Sequence, residues 1–543
     1  MSKVFPSVAV QPSRRAVLTF AGLGTLGLFG AGVLAGCDAG AGEAPTPSGS
    51  ATASAGDGGL VALQRGAITG AFDPLDPHVT SNGLTININW YVFEGLYAAR
   101  VDEPTTYYPA LAAGEPEVID DRSYKVTLRD GAVFHDGSPV KASDVVFCFN
   151  RIKEMGESNF LNSYLKNFDS AEATAENEVT FVLVEPSALF KERVATIKVM
   201  PEAAATGSDS ENVLTYAPIG SGPYTVTSAD ANVGVQLARF ADYGGPLQEN
   251  VVAEAIELKV IPEGTARVAA LQAGDVDAIV GVDVNMLDSL KTDGFEIAEV
   301  TARGMAVLFF NSAKAPFDDH RVRQALMYAI DRDEMVALDN GGSKVADLLV
   351  PSDASDYQEP AFVYSRDVDK AKALLAEAGM PDGFSFELQC PTPGYDIFGQ
   401  AIQAQAAEAG ITIELRPGDT GALYERVTNG EFEAMIAGSS PGLLGSADAE
   451  FVYRWLYYGA FVEQYAHWSG PEKEQVGELL DQAVVAPSRE DYLATMKQVY
   501  DITTEYGPVI ALTHSLNRFG WSPETSAGVS PSSLGMLVLA KGA

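Results

Sequence analysis

Residues 13–37 constrain this chain more than any other stretch. Ser13-Arg14-Arg15 is followed by an apolar run from Ala16 to Ala35 without a single charge, and small residues close the run. A charged n-region, an apolar h-region and a small-residue cleavage point make a secretory signal. The arginine pair at its head is a twin-arginine start. The run is nearly long enough to span a bilayer, so an uncleaved anchor is the competing reading. On either reading it is withheld from any globular core, and the folded body is built from the residues after it, outside the cytoplasm.

Leu34-Ala35-Gly36-Cys37 resembles a bacterial lipobox. That resemblance implies cleavage before Cys37 and lipid on its thiol and new N-terminus. Residues 1–36 are then the signal peptide, and Cys37 is the lipidation site on the outer face of the cell membrane. From Asp38 to Gly59 the chain is Ala, Gly, Ser, Thr and Pro with almost nothing large and apolar. Such a segment cannot bury a core, so 37–59 reads as a flexible tether.

The chain has 543 residues and no second long apolar run, enough for roughly two to four domains. Its formal charge is −37, and without residues 1–36, which hold Lys3, Arg14 and Arg15 and no acid, it is −40. A surface of that sign repels nucleic acid and disfavours polyanionic ligands. Cys148 and Cys390 lie in apolar patterns and read as buried free thiols, with a disulfide left open outside the cytoplasm. His78, His135, His320, His467 and His514 show no i, i+3 or i+4 pairing, so no helical metal site is expected and each reads as a turn or surface residue.

From Leu60 onward strand and helix patterns alternate, with no repeat. Tyr124, Val126 and Leu128 alternate as a half-buried strand. Ser143 is placed to cap a helix with Val145, Phe149 and Ile152 on its apolar face. Thr265 to Gly274 reads as a helix before a strand at Val276 to Val280. Asp318 is placed to cap a helix bearing Val322, Leu326, Ala329 and Ile330. Asp367 to Gly379 is another helix, before a strand at Phe384 to Leu388, and Gly410 to Leu415 is a further strand. The pattern is α/β with more than one lobe.

Two short motifs carry little chemistry. Gly22-Leu23-Gly24-Thr25-Leu26-Gly27 has dinucleotide-loop spacing, but it lies inside the signal with no strand before it. Gly438-Ser439-Ser440-Pro441-Gly442 has nucleophile-elbow spacing after an apolar stretch at Ala434 to Ala437. Pro441 to Ser446 make a poor helix start, and nothing fixes Asp448, His467 or His514 near Ser440. A Gly-Ser loop lining a cleft is the plainer reading, and a secreted serine hydrolase using Ser440 is the rival. Tyr453, Trp455, Tyr457 and Tyr458 crowd one segment, which suits either a ligand wall or a core.

Several segments, in order, resemble the extracytoplasmic solute-binding proteins that serve ABC importers of peptides and nickel (family 5). They are Leu75-Asp76-Pro77-His78, Phe93-Glu94-Gly95-Leu96 as the helix after it, Pro109 to Ala112, and Tyr124 to Asn150 with Leu128-Arg129-Asp130-Gly131. Gly220-Ser221-Gly222-Pro223-Tyr224, Ala266-Arg267 to Asp277, and Asn311 to Arg332 with Pro316-Phe317-Asp318-Asp319 complete the set. The resemblance implies an α/β, two-lobed periplasmic-binding-protein-like fold (class II) with an extra domain inserted in the first lobe. The first lobe would take 60–105, 219–303 and 508–543, the inserted domain 106–218, and the second lobe 304–507, with hinges near Arg303 and Gly507. It implies a binding protein rather than an enzyme, monomeric, without cofactor or metal. Its partners would be a small solute, peptide or oligosaccharide, and the membrane subunits of an ABC permease, with no nucleic acid. Carried over by position, Ser81, Asn82 and Gly83 of the first lobe and Ser439, Ser440 and Trp455 of the second would line the ligand. Phe160 and Tyr164 of the inserted domain are added as aromatic candidates. Peptide-binding members carry an acid for the peptide's amino terminus where this chain has Gly442, so capture of a free ammonium is not expected unless Asp448 substitutes.

Overall fold

A computed structural model describes residues 63–538, other than 81, 100–106, 157–158, 248–252, 340, 393, 440–448, 460 and 532–536. The signal, Cys37, the tether, Ser81, Ser440, Gly442 and Asp448 therefore lie outside the described residues.

The main sheet has 11 strands. In spatial order they are Ile411–Gly418, Phe384–Pro391, Ala434–Ser439, Glu296–Phe310, Val509–Trp521, Ala278–Val280, Leu63–Ile68, Ala255–Val260, Gly234–Arg239 and Tyr224–Asp230, with Ser343–Val345 attached beside Val509–Trp521. The two long central strands pair antiparallel, and their register breaks between Thr301 and Met305. Beyond the break, Met305 to Phe310 pair with Ala434–Ser439. On the other side, Val509–Trp521 meets Ala278–Val280 through Trp521, Gly520 and Phe519.

Alternation explains why the strand after the break is apolar throughout. Met305, Val307 and Phe309 face one hydrophobic cluster, while Ala306, Leu308 and Phe310 face another. A strand buried on both faces needs a continuous apolar run. A separate cluster around Ile88, Val92, Leu96 and Phe181 holds the first part of the chain. There a second sheet, Glu117–Val118, Ser123–Thr127, Glu178–Leu183 and Phe168–Ala175, packs beside the helix Ala142–Glu154.

The expected helices form with small shifts. The cap of Ala142–Glu154 is Lys141 rather than Ser143, and Asp144 Oδ2 accepts from the Lys141 N–H. The helix His320–Ala329 is capped by Asp319 rather than Asp318. Gly264–Ala273 ends on Gly274 in the left-handed region, as its sequence suggests.

Phe93 to Leu96 do not form a helix. The helix is Gly83–Val92, and the chain leaves it extended at Phe93. The extended chain there packs tightly: a Cβ on Gly95 would lie 2.9–3.0 Å from the carbonyls of Ala195, Ile197 and Tyr97. His514 departs from expectation, buried in the strand Val509–Trp521, while His78 lies in a turn as expected and is buried there. Each is tolerated because its Nε2 meets a backbone carbonyl, Lys198 O at 2.7 Å and Leu348 O at 3.0 Å respectively. Both described cysteines are free and buried, Cys148 and Cys390 in different clusters.

Candidate functional site

The family-like motifs build the frame of the site. Asp76 accepts two hydrogen bonds from the Arg151 guanidinium and one from the His78 N–H. Arg151 also meets His78 Nδ1 at 2.9 Å. Burial drives the His78 pKa down to about 4, so the ring is neutral. Glu94 is salt-bridged to Arg129 and bonded by Tyr243 Oη at 3.1 Å, while desolvation holds its pKa up. Gly220 and Gly222 pass under the end of the helix Gly83–Val92, where a Cβ would strike the backbone of Tyr91 and Val92. Arg323 donates to the carbonyls of Phe317, Tyr506 and Gly507 and fixes the end of the helix Arg489–Tyr506.

Two cavities open beside this frame. The larger, about 410 Å³, lies between residues 164–193 and residues 450–485. Its walls interlock. Leu189 joins the hydrophobic cluster of the C-terminal partner, and Phe451 joins that of the N-terminal one, stacked on Tyr164 at 4.7 Å. Ser187 Oγ donates to Val484 O, and Ala188 N donates to Ala486 O at 2.8 Å. Arg193 reaches Glu450 at 2.7 Å, Arg454 bonds the other oxygen of Glu450, and Arg454 also reaches Asp481 at 2.9 Å. Burial alone would raise the Glu450 pKa, but Arg454 and Arg193 together hold it below the usual carboxylate range.

The smaller cavity, about 40 Å³, lies within the N-terminal part and is lined by Thr80, Asn89, Trp90, Leu161, Thr196 and Lys198, among others. Lys198 Nζ sits 4.9 Å from the centre of the Trp90 ring. Desolvation pulls its pKa from 10.5 to about 8, opposed by the field of Glu94. Asn89 is 3% exposed, and its Oδ1 has no hydrogen-bond donor.

The residues singled out from sequence are only partly brought together. Asn82 caps the helix Gly83–Val92 by accepting from Leu84 N, and Gly83 is its first residue. Both adjoin Thr80, which lines the smaller cavity. Phe160 opens the short 3-10 helix Phe160–Leu165, whose Leu161 lines the smaller cavity and whose Tyr164 lines the larger. Ser439 ends its strand opposite Met305 at the register break. Trp455 is 44% exposed, and its neighbour Arg454, not Trp455, lines the larger cavity. Lys198, Asn89, Arg193 and Glu450 were not singled out. The available signal for Lys198 was a lone cation inside Val194-Ala195-Thr196-Ile197-Lys198-Val199-Met200.

The model of "Bacterial extracellular solute-binding proteins, family 5 Middle" matches residues 106–461, more than half of the chain. This chain belongs to that family. The dipeptide-binding protein of Escherichia coli K12 is 26% identical over 442 residues, covering 76% of this chain and 81% of that one. The heme-binding protein A of Haemophilus influenzae is 27% identical over 456 residues, 78% of this chain and 82% of that one. The solved structure of HbpA2 from Haemophilus parasuis superposes with a TM-score of 0.75 at 23% identity, covering 88% of this chain and 99% of that one. Family 5 members are extracytoplasmic binding proteins of ABC importers for peptides and related solutes, not enzymes, which removes the serine-hydrolase reading. Among the described residues no group of three or more His, Cys, Asp or Glu could hold a metal ion, and no helix is long and apolar enough to cross a membrane.

Proposed function

We propose that this chain is the lipid-anchored receptor of an ABC importer, trapping one small solute between its lobes by hinge closure and delivering it to the permease. The register break between Thr301 and Met305 in the central strand pair carries the hinge reading. A broken ladder between separately packed clusters is where two bodies can rotate without disturbing either core. The lobes are then 60–105, 219–303 and 508–543 against 304–507, with 106–218 as the inserted domain. Ligand shifts the population towards the closed form. The lipobox at Cys37 supports the anchor, and Cys37→Ala should release the protein from the membrane fraction or leave it unprocessed.

The solute lacks a free ammonium. Gly442 stands where peptide-binding relatives place the acid that pairs with it, and a buried unpaired charge costs several kcal/mol. Blocked peptides or oligosaccharides should therefore bind better than free di- and tripeptides. Calorimetry against peptide and sugar panels tests this, with small-angle scattering to read closure. Submicromolar binding of an unblocked dipeptide, lost on acetylation of its amino group, would overturn it.

A further inference from the structure

The central strand pair breaks register at Thr301 to Met305, and a third strand bridges that place. Thr301 pairs with Leu516 and Met305 with His514. On the other edge of Val509–Trp521, the short strand Ser343–Val345 pairs with Ser515, His514 and Thr513, level with the break. The chain leaves the helix Arg332–Leu338 and turns through Gly341, whose φ of 74° suits glycine. The two ends of the segment that follows are held on different sides of the break. On the Thr301 side, the Arg518 guanidinium donates to Gly341 O and to Glu299, and the Leu516 N–H donates to Gly342 O at 2.9 Å. Lys344 crosses the face of Val509–Trp521, and its Nζ donates to Thr301 Oγ1 at 3.2 Å. On the Met305 side, the Ala346 N–H donates to Leu512 O at 3.1 Å, and His514 Nε2 meets Leu348 O at 3.0 Å. Arg332 there holds Ala346 O and Asp347.

We propose that residues 341–348 are a strap across the hinge, which resists parting of the lobes and so sets how much of the ligand-free protein is already closed. The proposal rests on the hinge reading above. On that lobe division the strap belongs to the second lobe, and Glu299, Thr301, Leu516 and Arg518 belong to the first. A rotation at the break carries these two groups apart. The bonds at Gly341, Gly342 and Lys344 are then the ones that must give way. Those from Ala346 to Leu348 lie on the part of Val509–Trp521 that pairs with Met305 to Phe309, and they move with the strap as one body. The bond from Lys344 is charge-assisted, which makes it stronger than one between neutral groups. The strap therefore favours the arrangement in which Arg193 meets Glu450. A receptor whose competent form is already populated loses less affinity to the conformational change.

The test is hydrogen exchange at two backbone amides of the ligand-free mature protein, Leu516 and Ala346. Hinge rotation frees the first and leaves the second protected, whereas local fraying frees both. Lys344→Met should speed exchange at Leu516 roughly tenfold, the effect of losing one hydrogen bond to a charged group, with Ala346 unchanged. Thr301→Val removes the same bond from the other strand and should act alike, and the double variant should add nothing to either. Lys344→Arg keeps a donor and should stay near the wild type. Equal acceleration at both amides, or none at Leu516, would overturn the proposal. Where one variant fails to fold, the other decides. A member of the peptide and sugar panels that compacts the protein in scattering, with the two amides accelerating together in the variants, would sink the strap alone. The amides separating as expected, with no panel member compacting the protein, would sink closure by solute alone.

Discussion

The larger cavity is walled by charges that satisfy one another, and the smaller by polar groups that do not. Around the first, Arg193, Glu450, Arg454 and Asp481 form a chain of ion pairs, in which Arg193 reaches across to Glu450. Around the second, Lys198 Nζ lies over the Trp90 ring, and the buried Asn89 Oδ1 has no donor. Under the proposed hinge closure the Arg193–Glu450 link is a latch, the one of these three pairs that crosses between the walls, since Glu450–Arg454 and Arg454–Asp481 lie on one side.

The sharpest way to break this contrast is to remove the acid at the centre of the latch. Glu450→Ala leaves Arg193 and Arg454 facing each other, both largely buried. Breaking a buried pair in this way costs about 3–5 kcal/mol. Under the hinge closure proposed above, the closed form would bear that loss, because Arg193 would regain water on opening. Solute affinity should fall by roughly a hundredfold or more, at 1.4 kcal/mol per decade, and scattering should report an expanded ligand-free protein. Lowered pH should act on the same carboxylate. Its pKa in the folded protein lies below 4.5, so its contribution is complete above that value and is lost as pH falls through the folded pKa. An unchanged scattering profile in Glu450→Ala would show that the pairing is not a latch.

The frame of this contrast was legible in the sequence, and the contrast itself was not. Asp76-Pro77-His78, Phe93 to Leu96, Gly220 to Tyr224 and Asn311 to Arg332 all announce the family, and the structure shows them as clamps: Asp76 on Arg151, Glu94 on Arg129, Arg323 on three carbonyls. Each works within a turn or between neighbouring elements. The groups lining the smaller cavity follow no period. Lys198 and Asn89 are 109 positions apart and meet through tertiary packing. The cap expected at Asp318 falls one residue on, at Asp319, since two adjacent carboxylates compete for the same turn, and the one expected at Ser143 falls two residues earlier, at Lys141.

A middle-sized effect tests how firmly the smaller cavity is held. His78 is neutral in the fold, with its pKa lowered from 6.5 to about 4 by burial. The unfolded chain therefore binds a proton between those values that the folded chain refuses. Stability from this group is complete above pH 6.5 and declines as pH falls towards 4, by about 3 kcal/mol at most, at 1.36 kcal/mol per unit. Nuclear magnetic resonance of the ring should find His78 unprotonated at pH 5, with Nε2 carrying the hydrogen that Lys198 O accepts. Protonation near 6.5 would mean that the carbonyl of Lys198 is not anchored and that the cavity is softer than its geometry implies.

The smallest expected effect concerns Trp455, which the family position nominated as a ligand wall. It is 44% exposed, on the stretch Arg454–Tyr458, whose other members Leu456 and Tyr457 are buried in the core. Arg454 beside it bonds Glu450 of the latch. A half-exposed aromatic away from both cavity linings contributes little to either, and surface substitutions of this kind stay within about 0.5 kcal/mol. Trp455→Ala should leave the melting temperature and the affinity for a cognate solute nearly unchanged, where Glu450→Ala changes both. Calorimetry on the two variants with the same solute makes the comparison. A loss of tenfold or more in Trp455→Ala, with stability intact, would place the solute against the second lobe's aromatic segment. The solute would then sit beside the Arg193–Glu450 pair, against the wall of the larger cavity.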